Sequence, residues 1–167
     1  MATVALDGTP AHTYGTLPAV GTTAPPFELV GTDLRNTTLR DFSGKRKILS
    51  IVPSLDTGVC ALSTRRFEEK TAGLRNTVVL VISADLPFAQ KRFCQSEGIE
   101  NVKTLSLMRG RGFAKDYGVL ITDGAFEGVA ARAVLVLDED DTVLYSELVP
   151  DIGSEPDYDA AIRALPA

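Results

Sequence analysis

Lys47–Lys70 reads KILSIVPSLDTGVCALSTRRFEEK. Lys47 to Val52 is a short apolar run bounded by turn signals, the pattern of a buried strand. Pro53, Ser54, Asp56, Thr57 and Gly58 then break the run, and a helix follows from about Val59 to Leu74. Cys60 stands where that helix begins. Thr57 suits the N-cap, its hydroxyl expected to accept from an amide of the first turn. Counting on, Gly58 is N1, Val59 is N2 and Cys60 is N3. In a capping box the N3 side chain folds back, which brings the sulfur near the Thr57 hydroxyl. The position lies among unpaired N–H groups at the positive end of the helix dipole. Both features favour a thiolate, the nucleophilic form. Pro53 has no N–H and a compact ring, so it can end the strand and wall the sulfur from water. Plain strand termination accounts for it equally well.

Outward from this unit, Thr77–Ala84 (TVVLVISA) is a second buried strand. DLPFAQKRFCQSEGI (85–99) has helix signals at both ends, with Pro87 in its first turn and Gly98 past its last. VKTLSL (102–107) is a third strand, and GFAKDYG (112–118) a short helix stopped by Gly118. ARAVLVLDEDDTVLYSEL (131–148) reads as two strands joined by the acidic turn Asp138–Asp141, and SEPDYDAAIRAL (154–165) as a helix with Pro156 near its start. Upstream, TVALDGTPAHTYG (3–15) is a hairpin turning at Asp7-Gly8. Phe27 to Val30 gives a short strand, a polar turn follows, and TLRDFSGK (38–45) is one helical turn closed by Gly44. Strands alternating with helices predict an α/β fold with helices on both faces of the sheet. The last hairpin makes that sheet mixed. Strand, turn, thiol and helix, then helices and a terminal hairpin, is thioredoxin-like in order. One domain is expected over residues 1–167, with 1–15 as a hairpin extension.

The chain has 167 residues, is 44% hydrophobic and 23% charged, and carries a formal charge of −5, so it can bury a core without staples. With a pI near 4.9, nucleic acid and anionic membrane are poor partners. No apolar run approaches the roughly 20 residues of a membrane span. MATVALDGTPAHTYG (1–15) lacks a basic start followed by an apolar stretch, so no secretory signal is expected and the cytoplasm is the indicated compartment. Two cysteines and the single His12 make a poor metal site, which argues against zinc. RGRGFAK (109–115) contains G-x-G without the rest of a dinucleotide fingerprint, and Arg109 and Arg111 read as solvated. The acidic turn lacks the Gly and distal Glu of a calcium loop.

Arg132 is the anomaly among these elements. It opens a strand whose alternating faces, Val134/Val136 and Ala133/Leu135/Leu137, are both apolar. A charge there needs water or a partner, and a thiolate would serve, as would a solvated strand end. Cys94 inside its helix reads as a small hydrophobe. A reactive Cys60 gives it a second meaning, because recycling an oxidised sulfur as a disulfide needs another thiol.

PSLDTGVC (53–60) fits P-x-x-x-T-x-x-C, the active-site signature of peroxiredoxins. GKRKILSIVPSLDTGVCALSTRRFEE (44–69), SADLPFAQKRFC (83–94), ARAVLVLDEDDTVLYSELV (131–149) and EPDYDAAI (155–162) extend the match, and from about residue 15 onward the chain resembles the bacterial thiol peroxidases, atypical two-cysteine peroxiredoxins. That resemblance implies a thioredoxin fold with an N-terminal hairpin, a homodimer, and no metal or organic cofactor. It maps Pro53, Thr57, Cys60 and Arg132 onto the family's peroxide-binding set and Cys94 onto its resolving cysteine. The implied reaction reduces hydrogen peroxide or alkyl hydroperoxides through a Cys60 sulfenic acid and an intramolecular Cys60–Cys94 disulfide, with thioredoxin as reductant. The first dozen residues carry no expected chemistry, and an apolar rim near Phe93 would suit organic peroxides. A disulfide needs Cα atoms within roughly 4.4–6.8 Å, so thiols on two helices imply a local opening. Two other functions use the same residues. A general thiol–disulfide oxidoreductase is disfavoured because C-x-x-C is absent, and a redox sensor would share the Cys60 chemistry.

Overall fold

Asp7 and Gly8 both adopt positive φ, 50° and 80°, as a two-residue primed turn demands. They join β1 (Thr3–Leu6) to β2 (Thr9–His12) in the expected hairpin. The computed structural model describes residues 1–166. After the hairpin come β3 (Glu28–Val30), β4 (Asn36–Thr38) and a 3₁₀ turn at Leu39–Phe42. Then follow β5 (Arg46–Ile51), α1 (Gly58–Thr71), β6 (Thr77–Ser83), α2 (Pro87–Glu97) and β7 (Lys103–Ser106). The chain continues through α3 (Gly112–Asp116), β8 (Ala133–Leu137), β9 (Val143–Leu148) and α4 (Tyr158–Arg163).

The seven-stranded sheet has the order β4-β3-β7-β6-β5-β8-β9. Its centre, β5 with β6 and β6 with β7, is parallel, and both flanks are antiparallel. This is the mixed α/β sheet of the thioredoxin fold. β4 corrects the reading of the stretch between Val30 and Thr38 as a polar turn, and takes Thr38 from the helical turn into a strand. A three-residue edge strand needs no apolar pattern, and two β-branched threonines suit its extended backbone.

Because side chains alternate across a strand, each face of the sheet has its own core. On one face Ile48, Val79, Val81, Val134 and Val136 meet Phe67 of α1, Phe93 of α2 and Ala161 of α4. On the other, Leu49, Ile51, Leu80, Ile82, Leu135 and Leu137 pack against the 3₁₀ turn, α3 and the hairpin. Gly118 closes α3 at φ +67°, and a Cβ there would lie 2.1 Å from the Thr16 carbonyl oxygen, so only glycine fits. Lys47, read as part of an apolar strand, is fully buried. It reaches Asp141 at 2.5 Å and the Asp138 carbonyl at 3.1 Å in the β8–β9 turn. No helix among the described residues is long and apolar enough to cross a membrane.

Candidate active site

β5 ends at Ile51, though Val52 N–H still donates to the Ile82 carbonyl at 3.0 Å. Pro53, buried and without an N–H, stops the pairing there. Thr57 is the N-cap of α1 in extended conformation (φ −84°, ψ 142°), so Cys60 is the third helical residue, where the sequence places it. The Thr57 side chain departs from the expected cap. Its hydroxyl donates to the Ser54 carbonyl at 3.0 Å instead of accepting from the first turn. The loop doubles back tightly enough to bring that carbonyl within reach, and the helix-start amides are left unclaimed by Thr57.

Cys60 has no exposed surface and packs in the core with Val52, Leu55, Phe67 and Phe93. Its carbonyl accepts from the hydroxyls of Ser63 (3.1 Å) and Thr64 (2.9 Å). Such back-bonding competes with the helix ladder and loosens a first turn. Arg132, only 2% exposed, lies just before β8. Its Nη2 donates to Cys60 Sγ at 3.1 Å and its Nε to the Ile152 carbonyl at 3.0 Å. Nη1 is buried with no hydrogen-bond partner among the described residues. This rules out the solvated strand end. A guanidinium stays charged at any relevant pH, and no carboxylate pairs with Arg132 among the described residues. The Cys60 sulfur is the group placed to balance it. The site thus joins a buried sulfur, a fixed positive charge and one uncommitted donor.

Cys94 sits on α2, half-buried, and both thiols are free. It lines a cleft of about 560 Å³ together with Phe42, Lys91 and Thr104. Burial pushes the Cys94 thiol up from its ordinary value, and the charge of Glu68 adds to the rise. The nearby Thr104 hydroxyl pulls the other way, by more than Glu68 adds. Pro87, Gln90 and Phe93 recur at helical spacing on the inward face of α2. Phe93 is therefore a core residue, 8% exposed, and not a rim. The exposed apolar side chains at the start of α2 are Leu86 and Phe88. Among the described residues no group of three or more His, Cys, Asp or Glu side chains could hold a metal.

Two contributors escaped sequence reading. The Ile152 carbonyl that orients Arg132 carries no side-chain signal. Asp85, in a turn ahead of α2, reaches back to the loop before Cys60. The hairpin also matters more than expected. Ala5 N–H donates to the Pro150 carbonyl and Ile152 N–H to the Ala5 carbonyl, both at 2.8 Å. His12 and Asp123 add a contact at 2.6 Å that, with the His12 N–H bond, holds the Asp123 carboxyl below its usual range. β1 thus braces the segment that holds Arg132. Deleting residues 1–12 should lower the second-order rate constant of Cys60 oxidation by about tenfold, the effect of ~1.4 kcal/mol at the transition state. Rapid mixing with peroxide measures it, and an unchanged rate would leave the hairpin no such role.

Residues 19–162 match the Redoxin family. The chain is 51% identical over 169 residues to the thiol peroxidase of Leptospira interrogans serogroup Icterohaemorrhagiae serovar copenhageni (strain Fiocruz L1-130), covering 100% of this chain and 99% of that one. The crystal structure of a peroxiredoxin-like protein from Aquifex aeolicus superposes with a TM-score of 0.92 at 42% identity, over 98% of this chain and 95% of the other. A thiol peroxidase from Chromobacterium violaceum gives 0.90 at 28% identity, over 96% and 93%. Fold, buried thiol and sequence agree: the chain belongs to the Redoxin family, and within it to the peroxidases of the thiol peroxidase, peroxiredoxin type.

Proposed function

We propose that the enzyme reduces hydrogen peroxide and alkyl hydroperoxides with Cys60 as nucleophile and Cys94 as resolving thiol. The observation that carries this is the 3.1 Å contact between Arg132 Nη2 and Cys60 Sγ in a site closed to water. The Cys60 thiolate attacks one peroxide oxygen and forms an S–O bond. The O–O bond breaks, and its electron pair leaves on the second oxygen, which takes up a proton to depart as alcohol or water. Negative charge moves from sulfur to that oxygen, and Arg132 Nη1 with the α1 amides supplies donors for it. Thr57 and Pro53 shape the loop that fixes the sulfur.

The sulfenic acid left on Cys60 is then attacked by Cys94, which forms a disulfide and releases water. The two sulfurs belong to different helices, so α1, α2 or both open before they bond. Thioredoxin returns both thiols by exchange, in keeping with the family resemblance and with paired thiols in a reducing cytoplasm. A homodimer follows from the same resemblance. To test the scheme, the reduced protein is treated with one equivalent of peroxide and its peptides are mapped by mass spectrometry. An intramolecular Cys60–Cys94 disulfide, and NADPH oxidation when thioredoxin and its reductase are added, is the expected result. An oxidised Cys60 that never pairs with Cys94, or a single oxidation without turnover, would favour the sensor reading instead.

A further inference from the structure

Asp85 lies between β6 and α2 and gathers two segments that the peroxidase cycle must move. Its Oδ1 accepts from Ser54 Oγ, and its Oδ2 from Leu55 N–H and Ser83 Oγ, each at 2.7 Å. Ser54 in turn organises the rest of the loop. Its hydroxyl accepts from Asp56 N–H at 3.1 Å, and its carbonyl from Thr57 N–H (3.3 Å) and the Thr57 hydroxyl (3.0 Å). The loop ahead of Cys60 therefore hangs on one carboxylate. On the other side, Ser83 Oγ accepts at 3.1 Å from Nε2 of Gln90, fully buried one turn before Cys94. The Asp85 carbonyl also accepts from Ser106 Oγ at 2.5 Å, fixing the start of α2 to the end of β7. Three donors converge on two oxygens. An ionised carboxylate, which only accepts, suits that arrangement where an amide or hydroxyl would place a donor against a donor.

We propose that Asp85 is a positioning residue that latches both cysteine segments in the closed, peroxide-reactive arrangement, and that its bonds to Ser54 and Leu55 release when Cys60 meets Cys94. The inference rests on the Cys60–Cys94 disulfide proposed above. Its consequence is a partition. A Cys60 sulfenic acid in the closed form can react with a second peroxide, gaining one oxygen to become a sulfinic acid while that peroxide is reduced to alcohol or water. In the open form it condenses with Cys94. Latch strength sets the balance between the two.

Asp85→Ala and Asp85→Asn in the full chain test this by rapid-quench mass spectrometry across a range of hydrogen peroxide concentrations. Asp85→Ala should slow Cys60 oxidation about tenfold and raise by roughly threefold or more the peroxide needed to convert half the protein to sulfinic acid. Asp85→Asn keeps an acceptor for Leu55 N–H and should fall between Ala and wild type. Leu137→Ala, in the core on the opposite face of the sheet, supplies a destabilised control whose partition should not move. If Asp85→Ala fails to fold, Ser54→Ala, which removes the Oδ1 partner and the acceptor of Asp56 N–H but leaves Leu55 N–H and Ser83 on Asp85, should show a smaller shift in the same direction. A partition that stays within twofold of wild type, or moves no further than in Leu137→Ala, overturns the latch. Absence of a Cys60–Cys94 disulfide in the wild type would instead overturn the reading beneath it.

Discussion

Cys60→Ser should abolish peroxide turnover, whereas Cys94→Ser should stop it after one oxidation. A serine hydroxyl stays protonated in water and is a weak nucleophile without a base beside it. In this site the neighbour is Arg132, a permanent cation that cannot take its proton. The rate of the first step should fall by roughly 10³-fold or more, to the level of peroxide alone. Cys94→Ser leaves the Arg132–Cys60 contact intact, so one equivalent of peroxide is still consumed at about the wild-type rate. With no more than one equivalent of peroxide the product should gain a single oxygen and stall, and excess peroxide should carry it on to sulfinic acid. The two steps should also separate with pH. Burial raises the Cys94 pKa, so the closed form is favoured below the thiol's ordinary value and loses that advantage as pH rises through the raised one. Raising the pH therefore promotes the opening, and Cys94, once freed from its burial, ionises more readily, so disulfide formation accelerates. Rapid-quench mass spectrometry reads each step directly. Undiminished turnover by Cys60→Ser, or repeated turnover by Cys94→Ser with thioredoxin, would reverse the assignment of the two thiols.

How far the sequence reaches here depends on whether a feature is local. The apolar strands β5, β6 and β8 and the helix bounded by Pro87 and Gly98 announce themselves through periodicity and caps, and Gly98 takes the left-handed φ of 66° that a helix stop requires. The place of Cys60 follows from Thr57 by counting, because an N-cap fixes the next three residues. The Thr57 hydroxyl could not be read the same way. Its partner is decided by how the loop closes on Ser54, and that closure is anchored by Asp85, thirty-one residues from Ser54. Arg132 was half legible: its apolar neighbours show that it needs a partner without saying which. The carbonyl of Ile152 and the hairpin behind it left no trace, since a backbone acceptor looks the same in every residue. β4 and the buried Lys47 were missed for related reasons. An edge strand has no inner face to pattern, and the lysine is satisfied by a turn some 90 positions later.

Arg132→Met should separate catalysis from stability. Methionine keeps much of the apolar stem and removes the charge and all five donors. Two contacts vanish, one to Cys60 Sγ and one to the Ile152 carbonyl, and so does the uncommitted Nη1. Losing one preorganised donor to a developing oxyanion typically slows a reaction about 10²–10³-fold. Here the same group also faces the nucleophile, so a loss at the upper end of that range is expected in the second-order rate constant for peroxide. Stability should move far less. The unpaired Ile152 carbonyl costs about 1–3 kcal/mol. Against this, a buried guanidinium no longer has to be stripped of water, and exchanging buried charges for well-packed apolar groups is often neutral or better. The melting temperature should therefore shift by only a few degrees, at roughly 2–4 °C per kcal/mol for a chain of this size. Arg132→Lys makes the complementary test. Its compact ammonium retains the charge, yet one point donor cannot hold the sulfur and the Ile152 carbonyl in the fixed fork a guanidinium provides. It should recover part of the rate and not all of it. If Arg132→Met reacts with peroxide within tenfold of wild type, the guanidinium neither balances the sulfur nor receives the leaving oxygen. A melting temperature that collapses together with the rate would make Arg132 a structural brace for the Ile152 segment instead.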